Sequence, residues 1–541
     1  MRRRHAAALA ACLALITAAP SPASAAPSPA PSLSPSASPL VSPSVPLTAT
    51  PLTATPLTAA RQRELLRRYA ADTWKSMDAM ADPATGLPSD KIDGSLDPGT
   101  RAKVTSPTNI ATYLWSTVAA RDTHLISRGE AQRRVARTLG STAKLERHAP
   151  TGQFYNWYDP HTLRIVRTWP ENGSAVQPFL SSVDNGWLAA ALMMIRSAVP
   201  EVSKQAEALL SGMDFESYYD PQARPDAGTG LLRGGFWPEK PTGCSVESDY
   251  NGSGTTVYST CHHYGALTEA RIASYVGIVL GQLPPEHYYG MWRTFPDTCD
   301  WSWAEQKPVG AWRTYMGVNV FEGTYGYRGM RLVPTWGGSM FEELMVTQLV
   351  PEDVWGARSW GRNQPVYVAA QIEHGMNDAK YGYWGFSPSN DPAGGYREYG
   401  VDAIGMDTPG YTSDQERTSV DYGFEGCREG RPEPESYGDG VVTPHASFLA
   451  LRHAPDAALG NLARLRANFD SYGPGGFYDA VAVRSGKVAK QYLALDQGMI
   501  MIALGNALAG DSLRRHFATR DVTAKLAPVL RQEEWAVVPP R

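Results

Sequence analysis

Five stretches of the chain combine carboxylates, aromatic rings and glycine: GQFYNWYDP (152–160), SSVDNGW (181–187), TWGGSMFEEL (335–344), EHGMNDAKYGYWGFSPSND (373–391) and YREYGVDAIGMD (396–407). Flat aromatic rings can cover the C–H faces of a sugar, and carboxylates and amides can bond its hydroxyl rim. Cleaving a glycosidic bond also needs two carboxyl groups, one protonated and one ionised. A single Trp or Tyr is more often a core residue. Five such clusters in polar, glycine-rich segments point instead to a cleft for a glycan. The candidate substrate contacts are Tyr155, Asn156, Trp157, Asp159, Trp336, Glu373, Tyr381, Trp384, Glu398 and Asp402.

Glu342 is the candidate general acid. It follows Met340 and Phe341 at the start of a helix, close to Trp336. Apolar surroundings raise a carboxyl pKa and keep the proton available. A helix N-terminus acts the other way, but only over the first turn. An ordinary first-turn carboxylate is the competing reading. Glu343 leaves the helix about 100° away and is expected to face solvent. Asp184 precedes a helix predicted over 185–197, where an aspartate caps backbone N–H groups and stays ionised. That suits a base or a hydroxyl acceptor, with a purely structural cap as the alternative. Asp439, in Tyr437-Gly438-Asp439-Gly440 before a helix over 442–453, has the same two readings. His374 and His445 read equally well as structural polar contacts. Asp90, Asp93 and Asp97 lack the EF-hand spacing. No metal or cofactor is expected.

These side chains must be carried by helices. Apolar residues recur at helical spacing from Leu65 to about Phe517. Leu66, Tyr69, Thr73 and Met77 share one face; Ile110, Leu114 and Val118 share another, after the Ser106-Pro107 cap. Further helices are predicted near 127–146, 185–197, 202–211, 264–282, 339–349, 364–379, 442–453, 456–469, 490–508 and 511–517, about twelve in all. Short connections alternate with long Gly/Tyr/Trp/Asp loops, which predicts a closed ring of helical hairpins with the long loops gathered at one end. The expected class is all-α, an (α/α)6 toroid, with short strands near 153–166, 233–238 and 310–322. It fills one catalytic domain over 59–541. No repeat of 20–50 residues indicates a solenoid.

Charge and processing signals narrow the function. The chain has 50 Lys+Arg and 54 Asp+Glu, without the basic excess of a nucleic-acid binder. Residues 1–25 read as a signal peptide, with Arg2–Arg4, an apolar run over 6–19 and Ala23-Ser24-Ala25 at the cleavage site. Their removal takes away three arginines and no acid, so the acidic excess rises from four to seven. A local basic patch aside, polyanionic substrates are disfavoured. Leu9-Ala10-Ala11-Cys12 resembles a lipoprotein box, but cutting there leaves about six apolar residues, fewer than the roughly 7–15 a signal needs. Residues 26–58 are Pro, Ser, Ala, Thr and little else, with PLTAT at 46–50 and 51–55; they read as an extended linker. No later stretch is long and apolar enough to span a bilayer. Secretion, a monomer and an oligo- or polysaccharide partner are the expectations. Four cysteines then remain, with Cys244–Cys261 as the local disulfide and Cys299–Cys427 as the long-range one, in preference to a zinc site.

Several strings, in order, resemble the bacterial glucoamylase-like domain. This domain occurs in secreted β-1,2-glucan hydrolases and as the transglycosylase part of cyclic β-1,2-glucan synthases. The strings are SPTNIATYLWSTVAARD (106–122), FYNWYDP (154–160), SSVDNGWLAAAL (181–192), WGGSMFEELM (336–345), YGYWGFSPS (381–389), VVTPHASFLAL (441–451) and LALDQGMIMIALGN (493–506). The resemblance implies an (α/α)6 toroid and glycosidase or transglycosidase chemistry. It places the Glu of the MFE string on Glu342 and the Asp of SVDxG on Asp184. Transglycosylase members carry Glu-Asp before the VVxPxA string, where this chain has Gly438 and Asp439. That departure favours water as acceptor, hence an inverting hydrolase, with β-1,2-glucan as leading substrate. The cysteine-bearing loop over 239–262 looks like an addition that reshapes the cleft. A polysaccharide lyase is the first rival, but it needs a uronate substrate and fits the acidic charge poorly. A non-catalytic glycan-binding toroid is the second. With no cofactor in the chemistry, cleavage of a glucan should survive a chelator. Loss of activity in EDTA, restored by a metal, would contradict this.

Overall fold

The computed structural model describes residues 58–250, 254–299, 304, 306–406 and 437–540. The 1–25 signal with Cys12, nearly all of the 26–58 linker, and Cys427 lie outside the described residues.

Fifteen α-helices lie among them: α1 Ala59–Met80, α2 Pro107–Asp122, α3 Arg128–Thr142, α4 Ser182–Ala198, α5 Ser203–Leu210, α6 Arg271–Leu280, α7 His287–Gly290, α8 Met340–Leu344, α9 Glu352–Trp355, α10 Trp360–Glu373, α11 Pro444–Leu449, α12 Pro455–Asn468, α13 Ala494–Leu508, α14 Ser512–Phe517 and α15 Arg520–Leu530. Each of the twelve predicted helices has a counterpart. The two four-residue helices α7 and α9 are too short to show a period. Helix α15 carries an internal proline, Pro528.

Composition sorts the helices into two layers. Residues Pro107 to Ala120 of α2 are buried on every side, and α4 and α13 are nearly so. Their small and apolar residues suit a helix enclosed by other helices. Helix α13 packs on α2, α2 on α4, α4 on α6, α8 on α11, and α11 on α13. Gly186 permits the close α4–α6 contact, since a Cβ there would lie 2.9 Å from Ala273. Arg271 links α6 to α8, its guanidinium donating to the carbonyls of Glu342 (2.6 Å) and Glu343 (2.9 Å). Helices α2, α4, α6, α8, α11 and α13 thus follow one another in a closed circuit. Around it lie α1 and α3 against α2, α5 against α4, α15 against α6, α10 against α8, and α12 against α11. Helix α1 buries only one face, through Tyr69, Ala70, Thr73, Trp74, Met77 and Met80.

The all-α expectation understates the strands. Seven small antiparallel sheets lie among the described residues, the largest of four strands. The strands expected near 233–238 and 310–322 are present as Gly235–Trp237 and as the hairpin of Val309–Tyr315 with Val318–Tyr327. The 153–166 segment contributes isolated bridges, such as Tyr158 to Ile165. The four-stranded sheet runs from Leu180–Ser181, at the entry to α4, through Gly235–Trp237 to the hairpin Thr256–Thr260 and Ser245–Asp249. No helix among the described residues is long and apolar enough to cross a membrane.

Cys244 and Cys261 close that hairpin with a disulfide, Cα atoms 5.8 Å apart. They flank the Ser245–Thr260 pair, the first rung of the ladder. Replacing both with serine frees a loop with a sequence separation of 17. Chain-entropy arithmetic sets the expected loss of unfolding free energy at about 3 kcal/mol. Denaturant unfolding with and without the double substitution checks this; an unchanged midpoint would contradict it.

Candidate functional site

The circuit helices begin at one end with polar first turns. Ser106 caps α2 by accepting from the Asn109 N–H, Ser181 caps α4 through the Asp184 N–H, and Ser339 caps α8 through the Glu342 N–H. Asn109, Asp184 and Glu342 are therefore each the third residue of their helix. Asp496 holds the same position in α13, and His445 is the second residue of α11. Glu269 stands two residues before α6. Ser181, not Asp184, is the cap of α4, which starts earlier than predicted. Asp184 is left free to act as an acceptor for side chains.

Asp184 receives the Thr108 hydroxyl on one oxygen (2.6 Å) and the Asn156 amide on the other (3.0 Å). Asn185, next to it, exchanges two hydrogen bonds with the Phe154 backbone. The FYNW and SVDNG segments are thereby stitched into one wall. Asn109 donates to Asp90 at 2.9 Å, and the carboxyl of Asp90 is held above its ordinary range by burial, with Glu171 and Asp184 adding repulsion.

Glu342 is fully buried, and burial pushes its carboxyl up to about 6. The expected desolvation is present. Yet the same carboxylate closes a capping box, accepting from the Ser339 hydroxyl (2.9 Å) and the N–H groups of Gly337 (3.0 Å) and Ser339 (3.3 Å). These donors favour the ionised form. Gly338 makes the turn possible: its φ is +74°, and a Cβ would lie 2.0 Å from the Val401 carbonyl.

Glu269 behaves differently. It is half-buried, and desolvation followed by repulsion from Glu342 pushes its carboxyl up to about 8. Glu398, also half-buried and repelled by Glu342, is pushed up to about 7. Across from them Asp479 and Asp496 form a buried pair. Burial and Asp496 hold Asp479 well above its ordinary value, and burial pushes Asp496 up to about 7. Burial takes His445 down to about 4, so its ring 3.3 Å from Asp496 is neutral at pH 7. The Tyr396 phenol feels Asp496, Glu398, Asp479 and Glu269, and so lies between the two groups of acids. More carboxyls meet here than can all ionise at neutral pH. Some therefore hold protons beside others that have lost theirs, as acid-base cleavage requires.

Asp184, Asn156, Glu342 and Glu398 share this neighbourhood. Trp336 reaches it through its N–H, which donates to Leu267 (3.1 Å) just before Glu269; its ring is half-exposed. Trp157 is also half-exposed, edge-on to Trp169 at 5.7 Å. Tyr155 is 8% exposed and forms part of the wall.

Other expectations are corrected. Glu343 is buried rather than solvent-facing, takes the Asn363 amide at 3.0 Å and is pushed up to about 8 by burial. Trp384 is 1% exposed, its backbone clamped by Asn461, and is a core residue. Glu373 pairs with Arg328 (2.6 Å) at the far end of α10, which with Asn377 holds it below the usual range. Asp159 orders a turn by accepting from the N–H groups of His161 and Thr162, each at 2.8 Å. Asp439 likewise accepts from the Ser485 N–H at 2.6 Å. Tyr381 packs under Gly440 and donates to the Gly438 carbonyl at 3.3 Å. Asp402 is buried in the short helical turn Asp402–Ile404 behind the Trp336 loop. His374 is buried 3.2 Å from the Tyr327 hydroxyl, a structural contact.

Sequence reasoning missed Glu269, Asp90, Tyr396, Asp479 and Asp496 as site residues. Glu269 was absorbed into the helix predicted over 264–282, whereas α6 starts only at Arg271. Asp496 lies inside the LALDQG string, where its apolar neighbours read as core.

Residues 307–519 match the family model described as "Putative glucoamylase". Residues 68–222, ahead of that match, fit a second family model described as a protein of unknown function (DUF3131). Cyclic beta-(1,2)-glucan synthase NdvB of Rhizobium meliloti is 26% identical over 394 residues, covering 69% of this chain and 11% of that protein. The chain thus spans about a tenth of the length of the curated relative it matches. Among solved structures, the beta-1,2-glucanase of Parabacteroides distasonis aligns with a TM-score of 0.61 at 15% identity, over 88% of this chain and 61% of that one. The endo-beta-1,2-glucanase of Chitinophaga pinensis, in complex with sophorotriose and glucose, aligns with a TM-score of 0.59 at 15% identity, over 87% and 98%. At these identities the likeness establishes a shared fold.

The raised carboxyl of Glu269 has a consequence for stability. Between the ordinary glutamate range and about pH 8, the folded chain keeps a proton that the unfolded chain has released. The contribution of this group is therefore complete at low pH and is lost as pH rises towards 8. Glu269→Gln should match the parent in melting temperature near pH 4 and exceed it increasingly up to pH 8. A constant difference across that range would contradict the assignment.

Proposed function

We propose that this chain is an exported glycoside hydrolase that cleaves β-1,2-glucan by acid-base chemistry. The reading rests above all on Glu269, a partly accessible carboxyl pushed up to about 8 beside the ionised capping-box carboxylate of Glu342. Glu269 is the proton donor to the glycosidic oxygen. Glu342, first expected in that role, anchors the loop and repels the negative charge that Glu269 would gain by losing its proton. Asp184, bracketed by Thr108 and Asn156, accepts sugar hydroxyls. Half-exposed Trp157 and Trp336 supply flat faces for the sugar rings.

The relatives support the substrate class. One is named a cyclic β-1,2-glucan synthase and two solved ones are β-1,2-glucanases. The closed circuit of six helices with partners outside supports an (α/α)6 toroid, its helix N-termini forming the cleft floor. Residues 1–25 direct export, 26–58 act as linker and 59–541 form one catalytic domain. A disulfide within the chain suits an extracellular location. Water is the acceptor, passing its proton to an ionised carboxylate of the group as Glu269 protonates the leaving oxygen; Gly438 supplies no carboxylate nucleophile, and Asp439 spends an oxygen on the Ser485 N–H.

A reducing-end assay on linear β-1,2-glucan tests the reading. General acid catalysis typically contributes about 10²–10⁴-fold, so Glu269→Gln should lower kcat by that range with KM little changed. Activity should fall above about pH 8, as Glu269 loses its proton. Glu342→Gln should cost about 1 kcal/mol of stability through its cap and far less in kcat. A full-strength Glu269→Gln beside an inactive Glu342→Gln would return the proton to Glu342. No cleavage of any β-glucan, with an unsaturated product from uronate polymers instead, would favour a lyase.

A further inference from the structure

The cleft end of the circuit is acidic; the opposite end is not. The C-terminal ends of α2 and α13, the early turns of α1 and α14 and the 123–128 connection enclose a groove of about 920 Å³. Helix α2 has 16 residues, which puts this groove about 24 Å from the cleft floor. Five arginines line it, Arg63, Arg67, Arg121, Arg128 and Arg515, against one acid, Asp122. The chain as a whole carries a net charge of −4, so this concentration is local.

Much of that positive charge is uncancelled. Arg63 donates to the Leu508 carbonyl (2.9 Å), Arg515 to Ala509 (3.2 Å) and Arg121 to Ala198 (2.5 Å). For Arg63 and Arg515 the partners are neutral carbonyls, and a guanidinium has five N–H donors, so most of theirs remain for a ligand, whereas Arg121 also bonds Asp122 and His516. Asp122 is spoken for by Arg121 (2.7 Å) and His516 (3.3 Å). Arg128 pairs with Glu201 at 2.6 Å yet stays 74% exposed. The groove is therefore rimmed by positive heads, those of Arg63 and Arg515 tied to backbone carbonyls.

We propose that this groove binds an oligomeric phosphate-type anion, at a site separate from glucan cleavage. Guanidinium forks match the tetrahedral oxyanion bidentately. The volume exceeds that of one orthophosphate, and with Asp122 and Glu201 set against Arg121 and Arg128, the three remaining positive charges suit a ligand carrying several. Arg63 and Arg67, one turn apart on α1, and Arg515 of α14 are the anchoring residues.

Isothermal titration of the full chain with sodium tripolyphosphate, orthophosphate and oligogalacturonate provides the test. Tripolyphosphate should bind with one-to-one stoichiometry, more tightly than either of the others. Raising salt from about 50 to 200 mM should weaken it steeply. Arg67→Gln, and separately Arg63→Ala with Arg515→Ala, should each weaken it about tenfold or more, one tenfold step being 1.4 kcal/mol. Arg67→Gln lies on an exposed face and should leave the melting temperature unchanged, so loss of binding cannot be loss of fold. Glucan cleavage should be unaffected in this variant, which separates the groove from the cleft. No binding of tripolyphosphate, or equal affinity in Arg67→Gln, would overturn the proposal. Tighter binding of oligogalacturonate would overturn the phosphate class.

Discussion

One buried guanidinium holds the acid-bearing segments in place. Arg271 is 1% exposed and grips Glu352 with two bonds of 2.7 and 3.0 Å. Its remaining donors reach the carbonyls of Thr268, Glu342 and Glu343, and its plane lies 4.3 Å from the Trp360 ring. A buried charge is tolerated only when paired and fully bonded. That demand fixes the turn before α6, the start of α8 and α9 relative to one another. Glu269, two residues before the arginine, and Glu342, whose carbonyl it holds, are set at a defined separation as a result. Removing Arg271 would leave Glu352 buried and unpaired, so the arrangement is costly to loosen.

The second constraint is electrostatic crowding. Carboxyls stand at the third position of α4, α8 and α13, and Glu269, Glu398, Asp90 and Asp479 feel one or more of them electrostatically. Helix N-termini attract negative charge and offset part of the repulsion. The offset is uneven. Glu342 receives backbone and hydroxyl donors and is pushed up only to about 6, while Glu269 has its own N–H as the bond favouring ionisation and is pushed up to about 8. Acid and carboxylate are thus set apart by their hydrogen bonds. The same circuit that gathers N-termini at the cleft gathers C-terminal carbonyls at the far end, which is where Arg63, Arg121 and Arg515 are found.

Helical periodicity and caps were legible in the sequence because they are local. Ser106-Pro107 and the apolar runs of α2, α4 and α13 located these helices to within a few residues. The MFE and SVDxG strings led to Glu342 and Asp184, which stand at the third positions of α8 and α4. Orientation was not local. Glu343 was assigned to solvent by its 100° offset from Glu342, but α8 is enclosed, and Asn363 and Arg271 wait on that side. Trp384 sits in a loop rich in Gly and Tyr, yet Asn461 of α12 pins it in the core from 77 positions away. Asp479 and Asp496 acquire their raised carboxyls only when folding buries them together. The strands were underread because short edge pairs such as Lys91–Asp93 with Gln491–Leu493 depend on register between ends of the chain.

The most direct measurement is a carboxyl titration followed by difference infrared spectroscopy, comparing the protein with its Glu269→Gln variant. A protonated carboxyl band that persists at pH 7, loses intensity around pH 8 and is missing from the variant is the predicted result. If the band lost in the variant titrates in the ordinary glutamate range, near pH 4, Glu269 is not the proton donor and the crowding argument fails.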